Sequence, residues 1–391
     1  MGRNNSKIRV IITGADHPTG LGTARAIATT AHCQIIGLCR QHSPCCRSKH
    51  WDELIKVNND HDIIDLLILL GKKQDRKTAL FMSQDSVVKT VSEQRELLQE
   101  HYLFHLPPRE VVDVFLDKVL FHQWALKHGF CVPASNSCKS REELEDSLKE
   151  IRFPVIVKPN EKTESWHKAS PLHKAFRLNN RQEFNHLPID LFRAAPEVIV
   201  QQWIPGGDSC VYFCLVYYDK SSTMLASYTG RKLFQWPRTC GSTAAAIGVE
   251  NPKLSYLTER LFNSAGCQGL ASLEFKRSDL DGQFYIIEPT IGRNDLQSNL
   301  ALAGGTNLTA LALADILNEQ TPNIKKRKAA WICEEQLLDA VRASRKDGSL
   351  RMKNLFRLLK ANVAFAHFSM ADPLPALTLL DQKIRPKVFG K

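Results

Sequence analysis

Apolar and polar positions alternate through the first hundred residues in a strand-then-helix rhythm. Ile8-Arg-Val-Ile-Ile-Thr13 is an apolar run of strand length, and Gly14-Ala-Asp-His-Pro-Thr-Gly20-Leu-Gly22 after it reads as a turn. The pattern predicts a helix over 23–30, a strand over 34–39, a helix over 63–70, a strand over 78–82 and a helix over about 87–100. Strands separated by helical segments imply a parallel sheet with helices on its faces, so this part is an α/β, doubly wound, Rossmann-like unit. Gly14, Gly20 and Gly22 do not have the spacing of a dinucleotide fingerprint, and Arg40 stands where its acidic residue would end the second strand. A tight turn after the first strand accounts for them.

The rhythm then changes. Helical periodicity over 113–128 and 140–150 gives way to strands over 153–158, 198–202, 211–218 and 224–228, a helix over 252–265, and two further strands in Gly269-Leu-Ala-Ser-Leu-Glu274-Phe-Lys276 and Phe284-Tyr-Ile-Ile-Glu288-Pro-Thr290. Asn294-Asp295 are N-cap residue types ahead of a helix over 296–303. Strands in hairpin order mixed with helices predict an α+β domain behind the α/β one. Domains are therefore expected at 1–108, 109–322 and 323–391, the last a basic helical segment.

Composition narrows the classes. The chain of 391 residues is 43% hydrophobic and 24% charged, with no run of eighteen apolar residues, and its first strand begins without a leading signal-type apolar segment. Eleven cysteines with no Cys-x-x-Cys spacing are read as reduced thiols of a cytoplasmic protein. Of the net charge of +11, residues 323–391 carry 15 Lys or Arg against 6 Asp or Glu, so the main body is nearly balanced and nucleic acid is not an expected partner. Within that tail, Met352, Leu355, Phe356, Leu359 and Val363 form a helical stripe flanked by Arg351, Lys353, Arg357 and Lys360. Such a helix can rest on an anionic membrane or pack on the body with its charge in water.

Chemistry enters with Glu274 and Glu288. The turn-forming Arg277-Ser-Asp-Leu-Asp-Gly282 between them makes a hairpin that brings two carboxylates onto one sheet face, a costly pairing without a cation. Hard oxygen ligands suit Mg²⁺. Lys158 ends the apolar strand Val155-Ile-Val and is followed by a proline, which is not the setting of a solvent-facing lysine. With Lys118 it points to a phosphate-rich ligand, which needs cations beyond its magnesium.

The order of these features resembles the ATP-grasp superfamily over about residues 8–310, and within it the predicted carboxylate–amine ligases, whose motif Glu-Pro-Thr-x-Gly-Arg-x-Asp is matched from Glu288 to Asp295. The resemblance implies a Rossmann-like pre-ATP-grasp domain followed by a two-lobed ATP-grasp domain. It implies ATP and Mg²⁺ as cofactors, and Lys118 and Lys158 near the phosphates. Gln201, Trp203 and Ile204 would form the adenine linker, with Asp208 on the ribose. Glu274, Glu288 and Thr290 would be metal ligands, and Arg293 would lie at the acceptor carboxylate or the transition state. Arg231 and Lys232 would reach over the phosphates, with Arg238 a further candidate. The implied reaction joins a small carboxylic acid to an amine through an acyl phosphate, releasing ADP and phosphate. Three departures stand out: Gln201 replaces the usual Glu, Thr290 the usual Asn, and the stretch from Asn160 to Ser170 lacks the glycines of a phosphate loop, leaving Lys162, Ser165 and Lys168 as substitutes. The last two favour the alternative of a degenerate nucleotide-binding module with a regulatory or scaffold role, whereas the Gln201 amide oxygen can still accept from an adenine amino group.

Overall fold

A computed structural model describes residues 8–30, 33–74, 77–160, 165–166 and 175–389. Lys162 and Lys168 lie outside the described residues. Five parallel strands form the first sheet in the order Glu53–Lys56, Cys33–Cys39, Ile8–Thr13, Thr78–Phe81, Tyr102–Leu103. Its central strand is apolar on both faces because both are covered. Val10 and Ile12 pack with Ala24 and Ile27 of the helix Pro18–Ile27, while Ile11 meets Ile63, Leu67, Val87 and Val88 from the helices Asp60–Lys72 and Asp85–Glu93. The Rossmann-like reading is thus the observed topology.

Two helices expected as continuous are interrupted. The first becomes Asp85–Glu93 and Arg95–Gln99; the second becomes Arg109–Leu116 and Lys118–Lys127. Asp117 causes the second break: its carboxylate accepts from Val119 N at 2.8 Å and Leu120 N at 2.9 Å, starting a new helix with Lys118 as its first residue.

A four-stranded antiparallel sheet follows, ordered Ser135–Cys138, Val198–Gln202, Val155–Pro159, Phe176–Leu178. Leu144 and Leu148 of the helix Arg141–Glu150 close its core against Val155, Val157, Val198 and Val200. The third sheet has seven strands, ordered Phe284–Ile291, Gly269–Arg277, Val211–Tyr218, Met224–Trp236, Ser242–Gly248, Ala329–Ile332, Asn362–Phe365. Its fourth strand runs thirteen residues and so includes Gly230, Arg231 and Lys232, beyond the 224–228 expected.

The tail is not only helical. Ala329–Ile332 and Asn362–Phe365 extend the seven-stranded sheet, and Trp331 is fully buried there. Three helices, Glu334–Lys346, Met352–Leu359 and Leu374–Phe389, complete the segment. It is fastened to the first domain by a buried ion pair: Arg25 Nη2 lies 2.9 Å from Asp372 Oδ2, which also accepts from Ser48 Oγ at 2.7 Å. No described helix is long and apolar enough to cross a membrane.

Candidate active site

The hairpin forms as its turn residues dictate. Ser278 N donates to Gln283 O at 2.9 Å, Gly282 N donates to Ser278 O at 3.0 Å, and Gly282 has φ +71°, a conformation glycine adopts without strain. The register sets Glu274 directly opposite Glu288 and Ser272 opposite Thr290; just past Glu274 the pairing skips Ile287, a bulge beside the carboxylates. Because side chains alternate along a strand, Ser272, Glu274 and Lys276 share the face that looks into a cleft.

Opposed carboxylates require a positive neighbour. Lys232, from the strand on the far side of Val211–Tyr218, places Nζ 2.6 Å from Glu274 Oε2, with only 5% of its side chain exposed. That ammonium neutralises part of the pair's charge. Two carboxylates and the Thr290 hydroxyl are hard oxygen donors, which fits Mg²⁺. No cluster of three or more His, Cys, Asp or Glu able to hold an ion occurs among the described residues. Magnesium bound through one or two carboxylates ordinarily completes its oxygen shell with phosphates and water.

Lys118 stands at a helix N-terminus, where the backbone dipole disfavours a cation and favours an anion close by. Its Nζ donates to the carbonyl oxygen of Asn160, and Asn160 Nδ2 donates to Asp117 Oδ2 at 3.1 Å and Glu197 Oε2 at 2.7 Å. Lys158 donates from Nζ to Gln201 Oε1 at 3.1 Å. The carboxamide oxygen in the position of the usual Glu therefore already serves a lysine.

The linker after Gln202 is pinned from behind: Trp203 N donates to Pro154 O at 2.9 Å. Its indole carries Arg177 at 4.7 Å and Lys276 Nζ at 4.8 Å over the ring. Ile204 and Trp203 both line the cleft. Asp208 sits elsewhere. Its buried carboxylate accepts from Gln235 N at 3.1 Å and Gln235 Nε2 at 3.3 Å, so it holds the neighbouring strand and is not among the described lining residues. Arg231 is likewise outside the lining, with Nε donating to Ser209 O at 2.6 Å. Arg238 pairs with Asp347 and lies 3.8 Å from Asp208. The segment that reaches the cleft is Thr239 to Thr243, where a Cβ on Gly241 would lie 1.9 Å from Pro237 O, so only glycine fits.

Arg293 follows the second carboxylate strand and bonds through Nε to Asp85 of the first domain. Burial disfavours its charge, but Asp85, Asp295 and Glu288 outweigh that and hold its pKa above the ordinary arginine value. The helix expected from 296 starts at Ser298 and has six residues; Asp295 instead accepts from Ser272 Oγ at 2.8 Å and Leu296 N at 2.7 Å.

Two chambers meet at this wall. One, of about 340 Å³, holds the linker, Lys232, Lys276, Glu274 and Thr290. The other, of about 970 Å³, opens toward the first domain past His17, Lys89 and Arg109. Both are lined by Lys118, Lys158, Glu288 and Arg293.

Lys276 escaped the sequence reading, although its place two residues beyond Glu274 puts it on the same face. Only 5% exposed, it donates from Nζ to Gly207 O at 3.1 Å. Burial lowers its pKa, partly opposed by Cys210, Asp208, Glu274 and Cys240. A nucleotide whose affinity uses that charge will bind more weakly as pH rises through the lowered pKa, before ordinary lysines lose their protons. Lys276→Met is expected to weaken nucleotide binding about tenfold at neutral pH and to abolish that alkaline decline, as read by calorimetric titration across pH.

No family model matches the chain. D-aspartate ligase of Enterococcus faecium (strain Aus0004) is 23% identical over 273 residues, covering 66% of this chain and 64% of that one. The chain thus spans just under two thirds of the length of the curated relatives it matches. Among solved structures, N5-carboxyaminoimidazole synthetase from Staphylococcus aureus complexed with ADP superposes with a TM-score of 0.65 at 14% identity, covering 88% of both chains. The biotin carboxylase domain of Hydrogenobacter thermophilus 2-oxoglutarate carboxylase, solved with MgADP, ADP and bicarbonate, gives 0.64 at 14% identity over 82% of this chain and 72% of that one.

Proposed function

The chain has the ATP-grasp fold, and on that premise we propose that it is an ATP- and magnesium-dependent carboxylate–amine ligase. One observation carries the reading: two chambers share a wall of Lys118, Lys158, Glu288 and Arg293. A nucleotide in the smaller chamber and an acid in the larger would bring a terminal phosphoryl group and a carboxylate together at that wall.

Trp203 and Ile204 would border the base, and Lys118, Lys158 and Lys276 would meet the phosphates. Glu274, Glu288 and Thr290 would hold magnesium, which when bound supplies charge neutralisation at the phosphates as the phosphoryl group leaves. Arg293, steadied by Asp85, offers a guanidinium fork to the acceptor carboxylate. The carboxylate oxygen takes the γ-phosphoryl group, giving an acyl phosphate and ADP. A neutral amine then attacks the acyl carbon, phosphate departs, and the amine proton is released with it. Lys232, paired with Glu274, would add a further positive charge beside the magnesium ligands and the phosphates. Asp208 and Arg231 would act behind the cleft by tying the strand Met224–Trp236, which carries both Lys232 and Gln235, to residues 208 and 209. Eleven free cysteines suit a reducing cytoplasm.

The reading is tested by offering small carboxylic acids and amines in pairs and measuring ADP and phosphate. Release that requires both an acid and an amine, with one ADP per amide, is the expected result. Nucleotide binding without turnover for any pair would favour the module with a regulatory or scaffold role.

A further inference from the structure

From Gly348 to Ala371 the chain carries no acidic residue, and Arg351, Lys353, Arg357 and Lys360 fall around the helix Met352–Leu359. An amphipathic surface helix ordinarily turns its apolar stripe inward. This one does the reverse. Leu358 and Asn354 are the buried residues, Leu358 packing in a cluster with Leu233, Phe234, Ala330 and Ala340. Met352, Phe356 and Leu359 stand outward with 55%, 58% and 79% of their surface exposed. Leu355 lies at the seam, partly buried against the core. Positions 352, 356 and 359 recur at helical spacing, so the three side chains form a single ridge, with the four exposed cations beside it.

We propose that this ridge docks on the surface of a bilayer containing anionic phospholipid, its apolar side chains entering the headgroup boundary and its arginines and lysines meeting the lipid phosphates. Charge selects this occupant. Two copies of the face would set four cations against four with no acid between them. The acids that flank this stretch in the sequence are otherwise engaged: Asp347 pairs with Arg238, and Asp372 is buried against Arg25. A two-turn helix with three anchors binds weakly and reversibly, needing both apolar insertion and anionic attraction. The proposal does not depend on the catalytic reading.

Flotation of the full chain with vesicles is the test. Binding to phosphatidylcholine vesicles that also carry phosphatidylserine is expected, with little binding to phosphatidylcholine alone and a decline as salt rises. The pair Phe356→Ser and Leu359→Ser should weaken binding at least about tenfold, and Arg357→Gln with Lys360→Gln should weaken it and flatten the salt dependence. Both pairs alter exposed side chains, so thermal unfolding should match the parent. Vesicle binding indifferent to all four substitutions overturns the proposal. So does a dimer, seen by sedimentation, that Leu359→Ser dissociates, because the ridge would then belong to a second copy.

Discussion

Glu288→Gln is expected to abolish the proposed ligase turnover, lowering it at least about a hundredfold, while leaving the protein about as stable as before. On the proposed assignment Glu288 is one of two anionic oxygen ligands for magnesium at the point where negative charge would accumulate, and losing a preorganised electrostatic group there costs about 10²–10³. The near-unchanged stability follows from two opposed effects. Glu288 faces Glu274 directly across the strand pair and is itself exposed, so losing its charge relieves a like-charge pairing but also gives up an attraction to Arg293. Glu274→Gln should differ. It leaves the Lys232 ammonium, 2.6 Å from Glu274 and 5% exposed, without its carboxylate, so activity and stability fall together. Lys158→Ala should silence turnover as Glu288→Gln does, since it removes a cation proposed to meet the phosphates. Phosphate release and urea unfolding measured on all three variants separate the cases. Near-parental turnover in both Glu288→Gln and Lys158→Ala would remove the site assignment.

Much of this arrangement is legible in the sequence because it is local. A hairpin needs only its two strands and its turn, so Glu274 opposite Glu288 follows from about twenty consecutive residues. Lys158 announces itself by ending an apolar strand. What the sequence conceals is decided by alternation and distance. Arg231 and Lys232 look equivalent in a basic run, yet they are adjacent on one long strand, and only Lys232 enters the cleft. Asp208 follows a Pro-Gly-Gly turn that resembles a ribose-binding edge, but Gln235, in the strand beside it, claims its carboxylate. Lys276 becomes legible once Glu274 is placed on the cleft face, since period-two spacing then puts it on that face too. The two tail strands are hard to read because each has four residues; the first pairs with Ser242–Gly248 far upstream, and the second pairs with the first.

A partnership across 347 positions of the sequence gives the second large effect. Asp372→Ala is expected to destabilise the protein by about 3–5 kcal/mol, because it strands a buried guanidinium. Arg25 and Asp372 have 9% and 1% of their side chains exposed, and Asp372 Oδ2 accepts from Arg25 Nε at 3.0 Å, Arg25 Nη2 at 2.9 Å and Ser48 Oγ at 2.7 Å. Burial alone would raise the Asp372 pKa, but Ser48, the Lys49 amide and Arg25 overcome it and hold the carboxyl below its ordinary value. A carboxylate with a depressed native pKa contributes stability that is fully present above its unfolded value and lost as pH falls through the native one. The parent should therefore lose stability on acidification below the ordinary aspartate range, and Asp372→Ala should lack that component. Arg25→Met separates the causes. Alone it leaves a buried carboxylate that can take up a proton, so it should cost less than Asp372→Ala. Combined with Asp372→Ala it should recover part of the loss, since no buried charge remains. Purely additive losses across this double-mutant cycle would show that the pair does not fasten the tail to the first domain.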